Sequence, residues 1–220
     1  MEAKILARLQ TILDQRKMDV LSGVRFRIET YSPEDVREML LMCYKSEVES
    51  RMMEFIPDEA TNEKVAKTSK WLCSANRFGL LLYGSVGSGK TTLARSICTL
   101  INVLYGNAYN YEDRKGVVRV SALDLANRVS EDKSYLYDLK HKELLFIDDL
   151  GVEPETVKCW GNEISPITEL LYSRYDNQLF TIATSNLAEE EFGERYGKRI
   201  YDRMEEMFDR LYYNNKSYRK

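Results

Sequence analysis

A glycine-rich segment that follows a short apolar run constrains this chain most. Residues 79–84 read GLLLYG, and residues 84–92 read GSVGSGKTT, which fits the pattern G-x-x-x-x-G-K-[ST]. Glycine lets the backbone turn its N–H groups inward around an anion, and the N-terminus of a following helix adds a partial positive charge. The pattern therefore predicts a phosphate-binding loop between a buried strand and a helix.

The side chains of this loop have predicted roles as well. Lys90 would neutralise the β- and γ-phosphates of a nucleotide, and the Thr91 hydroxyl would be a ligand of Mg²⁺. The residues that we expect to contact the nucleotide are Gly84, Ser85, Val86, Gly87, Ser88, Gly89, Lys90, Thr91 and Thr92. A chance glycine turn is the alternative, and the strand before the loop and the helix after it argue against that alternative.

Polar residues that follow two later apolar runs supply the rest of the predicted site. The run LLFI at residues 144–147 leads into Asp148 and Asp149, and the run LFTIATS leads into Asn186. We expect Asp148 to share the Mg²⁺ ion with Thr91, and Asp149 to orient or deprotonate an attacking water. Asn186 would contact the γ-phosphate or that water. An asparagine after a strand is also ordinary turn chemistry, so this prediction depends on its place in the series.

Apolar runs that alternate with helical patterns predict the fold class. The runs GLLLYG, VVRVS, ELLFIDD and LFTIATS are short and continuous, and helical patterns lie between them. This alternation is typical of an α/β fold in which helices cover both faces of a parallel sheet. After VVRVS, Ser121 and Asp124 predict a capping box at the start of the next helix.

The first fifty-five residues show helical patterns without the alternation. An apolar stripe at helical spacing is formed by Ile5, Leu6, Leu9, Ile12 and Leu13. Ser32 and Pro33 predict the start of a second helix, which we expect to continue almost to Pro57. The sequence is therefore divided into a helical N-terminal region at residues 1–55 and a nucleotide-binding domain at residues 56–220.

Composition limits the possible partners and compartments. The formal net charge of −3 means that any DNA contact must come from a local basic patch and not from the overall field. Four dispersed cysteines and one histidine exclude a zinc site and favour reduced thiols. We see no signal peptide and no apolar run of the length that a membrane span needs, so we expect a cytoplasmic protein.

The ordered series of motifs resembles the AAA+ ATPases, and more narrowly the DnaC/IstB-like group, whose best-known members load the replicative helicase in bacteria. The matching phrases are GSVGSGKTTLA, LLFIDDLGVE, LLYSRYDNQLFTIATSNL, YGKRIYDRM and KSYR, which lie within residues 54–219. The resemblance implies that residues 84–91 are Walker A, that Asp148 and Asp149 are Walker B, and that Asn186 is sensor 1.

The same resemblance implies Mg²⁺-dependent ATP hydrolysis by a helicase loader with an AAA+ domain at residues 56–220. A DnaB-like replicative helicase is the expected partner, and single-stranded DNA is a possible one. An IstB-like helper of transposition and a nucleotide switch with little turnover are the alternatives. Asp149 stands where many AAA+ enzymes have glutamate, and its shorter arm suggests slow hydrolysis. We expect no separate helical lid after KSYR, where Arg219 could partly replace a sensor-2 arginine.

Two arginines in the phrase YGKRIYDRM fall on the segment that holds the arginine finger in this group. Arg203 is the first choice for the finger and Arg199 the second, and a finger that reaches a neighbour's γ-phosphate implies self-association. In this interpretation both arginines follow the last strand of the sheet. The alternative is that they pair within their own helix, with Asp202, Glu205 or Glu206.

Two further surfaces stay open at this point. The first apolar stripe and the phrase MLLMCY at residues 39–44 would suit docking of the helicase, or they pack on each other or on the ATPase core. A mixture of aromatic and basic residues could contact single-stranded DNA, or it is a solvated loop whose tyrosines fold onto the edge of the sheet. Its members are Tyr105, Tyr109, Tyr111, Arg114, Lys115 and Arg119.

Overall fold

Five parallel strands form the sheet that carries the predicted loop. The computed structural model describes residues 7–14, 26–74, 77–106 and 116–218. The strands of this sheet are β1 (Gly79–Gly84), β2 (Val118–Ser121), β3 (Leu145–Leu150), β6 (Thr181–Ser185) and β7 (Phe208–Tyr213). Their order is β2-β3-β6-β1-β7, and each neighbouring pair is parallel. Two short strands, β4 (Val157–Cys159) and β5 (Asn162–Ile164), form a separate antiparallel hairpin.

Helices connect the strands and cover the sheet. Residues 7–14 are helical and are labelled α1 here. The other helices are α2 (Pro33–Glu49), α3 (Glu59–Ser74), α4 (Lys90–Tyr105), α5 (Ala122–Glu131), α6 (Ser134–His141), α7 (Pro166–Asp176), α8 (Glu189–Tyr196) and α9 (Lys198–Met207). Ser32 caps α2 in a complete capping box with Asp35. The Ser121 hydroxyl accepts a hydrogen bond of 3.0 Å from Asp124 N at the start of α5.

The side chains of the sheet alternate between two apolar layers. In β1, Leu81 and Tyr83 join the layer that contains α5 to α9, whereas Leu80 and Leu82 join the layer that contains α2, α3 and α4. Successive strand residues point to opposite faces, so a sheet that is buried on both sides needs a continuous apolar run. The predicted fold, a parallel sheet with helices on both faces, is confirmed.

The helix α2, which the predicted division at residue 55 places in the N-terminal region, packs on one face of the sheet. Val36, Leu40 and Tyr44 of α2 are buried in the same core cluster as residues of β1 and β6. The helix ends at Glu49 and not near Pro57, and Met52 beyond it takes a left-handed φ of 58° that a helix cannot contain. Most of the phrase MLLMCY therefore packs on the core, as one of the two alternatives proposed.

The apolar stripe of α1 is different, because its described side chains are about half exposed. Leu9, Ile12 and Leu13 expose 49%, 51% and 48% of their surfaces. Ile5 and Leu6 lie outside the described residues. The stripe therefore presents apolar surface to solvent in this structure.

The strand β7 and the hairpin β4–β5 did not follow from the sequence patterns. The phrase FDRLYY of β7 contains two charged residues and lacks a clear apolar run, yet it pairs in parallel with β1 along its whole length. Arg199 and Arg203 lie on α9, directly before β7. The expectation that they follow the last strand of the sheet is therefore wrong.

Candidate nucleotide site

Three strands deliver the predicted site residues to one edge of the sheet. The loop after β1, the acids at the end of β3 and Asn186 after β6 meet there, and β6 lies between β1 and β3. A cleft of about 710 Å³ opens at this edge. Its lining includes the loop from Val86 to Thr92, together with Asp149 and Asn186. Ligands of open α/β sheets bind at such carboxyl edges.

The loop conformation depends on glycine at two positions above all. Gly84 has φ 115°, and a Cβ atom there would lie 2.3 Å from the carbonyl oxygen of Tyr213 on β7. Gly89 has φ 97° and precedes α4 as its N-cap. Residues with a side chain rarely adopt these positive φ angles. At Gly84 a Cβ atom would also lie closer to the backbone of β7 than Cβ atoms lie to their neighbours in real proteins. The loop therefore forms as the glycine pattern predicts.

The Lys90 side chain folds back over the phosphate loop and contacts its backbone. Its Nζ atom donates to the carbonyl oxygens of Gly84 at 2.9 Å and Ser85 at 2.7 Å. The amide of Ser85 donates to Tyr213 O at 2.8 Å, so this N–H points to β7 and not into the loop. The Ser88 hydroxyl donates to Ser85 O at 2.6 Å. The ammonium group is thus held beside the loop, within reach of a phosphate bound there.

The residues predicted to hold Mg²⁺ lie in contact. Thr91 Oγ1 donates to Asp148 Oδ1 at 2.9 Å, and Thr184 Oγ1 donates to the same oxygen at 2.6 Å. The other oxygen, Asp148 Oδ2, lies 3.8 Å from Arg95. Hydroxyl and carboxylate oxygens suit Mg²⁺, which is commonly held by one or two protein oxygens together with substrate phosphates. The donor set fits this ion.

The described residues include no cluster of three or more acidic, histidine or cysteine side chains that could hold a metal ion alone.

Asp149 takes an unusual backbone conformation at the end of β3. Its φ is 57°, and the register of β3 against β6 shifts between Ile147 and Leu150. The amide of Asp149 donates to Thr184 Oγ1 at 2.8 Å, and Asp149 Oδ1 accepts from Asn186 Nδ2 at 3.5 Å. In a regular strand two adjacent side chains point to opposite faces. The register shift is a β-bulge, and this bulge directs the side chains of both acids to the same edge of the sheet.

The predicted arginines lie on α9 outside the cleft lining. The Arg203 guanidinium stacks 4.3 Å from the ring centre of Tyr172 and 5.0 Å from that of Tyr175, and its Nη1 lies 3.6 Å from Asp176. Its side chain is 34% exposed. Arg199 is exposed and forms no ion pair or hydrogen bond with the described part of the chain.

The alternative of pairing within α9 finds no support at the acids that it names. Glu205 pairs with Arg210, and Glu206 accepts a hydrogen bond from the Tyr175 hydroxyl. Among the described contacts, none of the three acids, Asp202 included, is paired with Arg199 or Arg203.

Sequence reasoning missed the wall of the cleft that faces the loop. This wall combines α2, the segment that follows it and residues after β7, and its members include Tyr44, Arg51, Met53, Phe55, Ile56, Ser217 and Tyr218. Arg51 Nη1 donates to Thr92 Oγ1 at 3.3 Å, which ties this segment to α4. The apolar phrase MMEFI before Pro57 was the available signal, but the expected continuation of the helix almost to Pro57 concealed it.

Four of the six residues of the expected DNA surface lie outside the described residues, namely Tyr109, Tyr111, Arg114 and Lys115. Arg219 also lies outside them. The Tyr105 ring packs edge-on against Phe26, with 5.2 Å between the ring centres, so this tyrosine packs against the protein. Arg119 is exposed on the edge strand β2.

In the described part of the chain, no helix has the length and apolar character to cross a bilayer.

The chain is similar in sequence to one known protein family and in fold to several solved structures. The family described as "ATPase family associated with various cellular activities (AAA)" matches residues 80–209, which is more than half of the chain. No curated protein matches the sequence.

Three solved structures share the fold. The DnaC helicase loader has a TM-score of 0.56 and 22% identity, over 73% of this chain and 93% of that one. DnaI has a TM-score of 0.57 and 18% identity, over 75% and 87%. A primosome component from Streptococcus pyogenes serotype M3 has a TM-score of 0.59 and 17% identity, over 92% and 100%. At these identities the likeness shows a common fold.

Proposed function

We propose that this chain, which belongs to the AAA family of ATPases, hydrolyses ATP with Mg²⁺ at the cleft described above. One observation carries the proposal. Thr91, Asp148, Asp149 and Asn186 come from three separate segments of the chain, and they lie in hydrogen-bonded pairs beside the phosphate loop. Chemistry on a triphosphate needs this combination of an anion cradle, hard oxygen ligands and a carboxylate near the attacking water.

Each residue would have a separate task in the reaction. The loop amides and Lys90 would bind the β- and γ-phosphates, and Lys90 would leave the carbonyls of Gly84 and Ser85 to do so. Mg²⁺, held through Thr91 and Asp148, would neutralise charge on the phosphates. Asp149 would accept a proton from the attacking water, and its partner Asn186 would fix the carboxylate and that water.

Arg203 is proposed as the residue that completes a neighbour's site. An arginine finger must keep its charge available for the neighbour's phosphate, so it must not be neutralised by a tight ion pair. The two tyrosine rings hold this guanidinium in place while about a third of the side chain stays exposed. The carboxylate of its ion pair, Asp176, is 61% exposed, so this pair is weak. Arg199 remains the second candidate. The active form would then be an oligomer.

The biological role that we propose is loading of a replicative helicase. The motif series and the fold shared with the DnaC helicase loader and DnaI support this role. The half-exposed stripe of α1 is the proposed docking element, because α2 is committed to the core. Single-stranded DNA is proposed as a second ligand.

Two experiments test these proposals. Phosphate release from Mg-ATP is measured with and without single-stranded DNA, using wild type and Lys90→Ala. Release by wild type and none by Lys90→Ala is expected. Tight ATP binding without release in either condition would support a nucleotide switch and contradict the enzyme proposal.

The partner is tested by pull-down of a hexameric DnaB-like helicase with full-length protein. Serine at Leu9, Ile12 and Leu13 together should abolish capture. The control is Val103→Ser, which changes an apolar residue that is 64% exposed on α4. Capture that survives the triple substitution would exclude α1 as the docking element. Absence of capture by wild type would contradict the loader role.

A further inference from the structure

The outward-facing carbonyl groups of the phosphate loop have partners in the segment that follows β7. A loop that turns its amides inward must turn carbonyl oxygens outward, and buried carbonyls need donors. The carbonyl oxygen of Gly87 accepts from the amide of Tyr218 at 2.9 Å. That of Ser88 accepts from Asn215 Nδ2 at 3.2 Å. The loop is therefore supported from behind by residues far away in sequence.

The side chain of Tyr218 is fixed in turn by the start of α3. Its hydroxyl donates to Asp58 Oδ2 at 2.6 Å and lies 3.3 Å from Thr61 Oγ1. The other carboxylate oxygen, Asp58 Oδ1, accepts from Thr61 N at 2.7 Å and so caps α3. Partial burial alone would raise the pKa of Asp58, but the hydrogen bonds from Tyr218 and Thr61 hold it below its usual value. The Asp58 carboxylate is thus an ionised acceptor at neutral pH.

The Tyr218 ring also lies against the loop on the cleft side. A Cβ atom at Gly89 would be 3.4 Å from Tyr218 Cε2, and Tyr218 lines the cleft together with Phe55 and Thr61. One residue therefore contacts the loop through its backbone and its ring, and contacts α3 through its hydroxyl.

We infer that Tyr218 is a positioning residue for the phosphate loop, and that the Asp58 carboxylate holds it in place. The inference rests on the proposed nucleotide site. We call the hydrogen bond between the Tyr218 hydroxyl and Asp58 the latch. Without the latch, the amide of Tyr218 is no longer held against the carbonyl oxygen of Gly87. The loop then samples conformations that do not bind phosphate. Asp149 and Asn186 are not touched. The latch therefore acts on nucleotide affinity and leaves the chemical step alone.

Two single substitutions in the full chain break the latch from either side. Tyr218→Phe removes the hydroxyl and keeps the ring and the amide. Asp58→Ser keeps a good N-cap for α3 but is too short to reach Tyr218. Each should weaken binding of Mg-ATP by about tenfold, since a hydrogen bond to a charged group is lost. The double variant should bind no more weakly than either single variant, because both remove the same interaction.

Two readouts separate positioning from a general loss of structure. The kcat at saturating Mg-ATP and the melting temperature should stay near wild type, whereas KM should rise. The matched control is Tyr212→Phe on β7, a residue that is 52% exposed. It removes the same hydroxyl from a tyrosine outside the cleft lining, and it should change none of these quantities.

A measurement without nucleotide judges the inference independently of the proposed function. Hydrogen exchange at the amides of residues 85–89 should be faster in Tyr218→Phe and in Asp58→Ser than in wild type. Unchanged exchange, unchanged affinity for Mg-ATP or additive losses in the double variant would each overturn the inference. A wild-type chain that fails to bind Mg-ATP would instead contradict the proposed function, and the exchange rates would still test the latch.

Discussion

Thr91 Oγ1 lies 2.9 Å from Asp148 Oδ1, although the two residues stand on different segments that meet only in the folded chain. If this pair shares Mg²⁺, removal of the Thr91 hydroxyl should weaken the ion's binding while the shape is kept. For Thr91→Val we expect the Mg²⁺ concentration at half-maximal ATP hydrolysis to rise by at least about tenfold. Thr91→Ser, which keeps the hydroxyl, should stay near wild type. Equal Mg²⁺ dependence of Thr91→Val and Thr91→Ser would exclude Thr91 as a ligand.

Asp149 is the proposed acceptor of the water proton. Asp149→Asn should bind Mg-ATP as wild type does and lower kcat by about 10²-fold or more, because an amide cannot accept the proton. Asp149→Glu keeps the carboxylate with a longer arm and should retain or increase kcat. Nucleotide binding by fluorescence and single-turnover hydrolysis give the two quantities separately. Wild-type turnover by Asp149→Asn would move the role to another residue.

A finger supplied by a neighbouring subunit predicts recovery in mixtures. Arg203→Ala and Lys90→Ala should each be nearly inactive alone, since a finger contributes about 10³- to 10⁵-fold in related systems. Mixed, they should regain activity at sites that combine an intact loop from one chain with Arg203 from the other. Arg128→Ala is the control, because Arg128 also stacks on a tyrosine, Tyr135, at 5.0 Å. Full activity of Arg203→Ala alone would leave Arg199 as the candidate.

Arg174 predicts a large effect on stability rather than on activity. It is fully buried and donates to Thr181 Oγ1 and to four backbone carbonyls near α6 and β6. Arg174→Met should lower the free energy of unfolding by about 3–5 kcal/mol, because those buried acceptors lose their donors. Arg174→Lys should recover only part of this loss, since an ammonium group offers fewer donors. Urea unfolding measures both, and a change within about 0.5 kcal/mol would contradict the prediction.

Tyr83 predicts a loss of stability in alkali. Burial and its hydrogen bond to Glu189 raise the pKa of Tyr83 to about 12. An unfolded tyrosine has a pKa near ~10, so between these values the folded chain keeps a proton that the unfolded chain releases. The contribution is complete below about pH 10 and declines as the pH rises towards 12. Urea midpoints of Tyr83→Phe should depend less steeply on pH in this window, and an identical slope would contradict the assignment.

The strand ends and loop chemistry were predictable because they depend on local patterns. Continuous apolar runs define β1, β3 and β6, and the glycines around Lys90 define the loop between β1 and α4. The strand β7 was not predictable from its charged phrase, because it is stabilised by pairing with β1 at the edge of the sheet. The wall that contains Phe55 and Tyr218 was missed for a similar reason, since its parts approach the loop only in the folded chain.

By itself the sequence determined the kinds of groups that this protein brings to a nucleotide. Periodicity and glycine positions are local properties, so they also determined the parallel sheet and the phosphate loop. Only the tertiary structure decided how those groups are aimed. The bulge at Asp149, the stacking of Arg203 on Tyr172 and the contact of Tyr218 with Asp58 all join distant segments or depend on strand register. Such contacts form only when packing of the whole core selects one arrangement, and no local pattern encodes that selection.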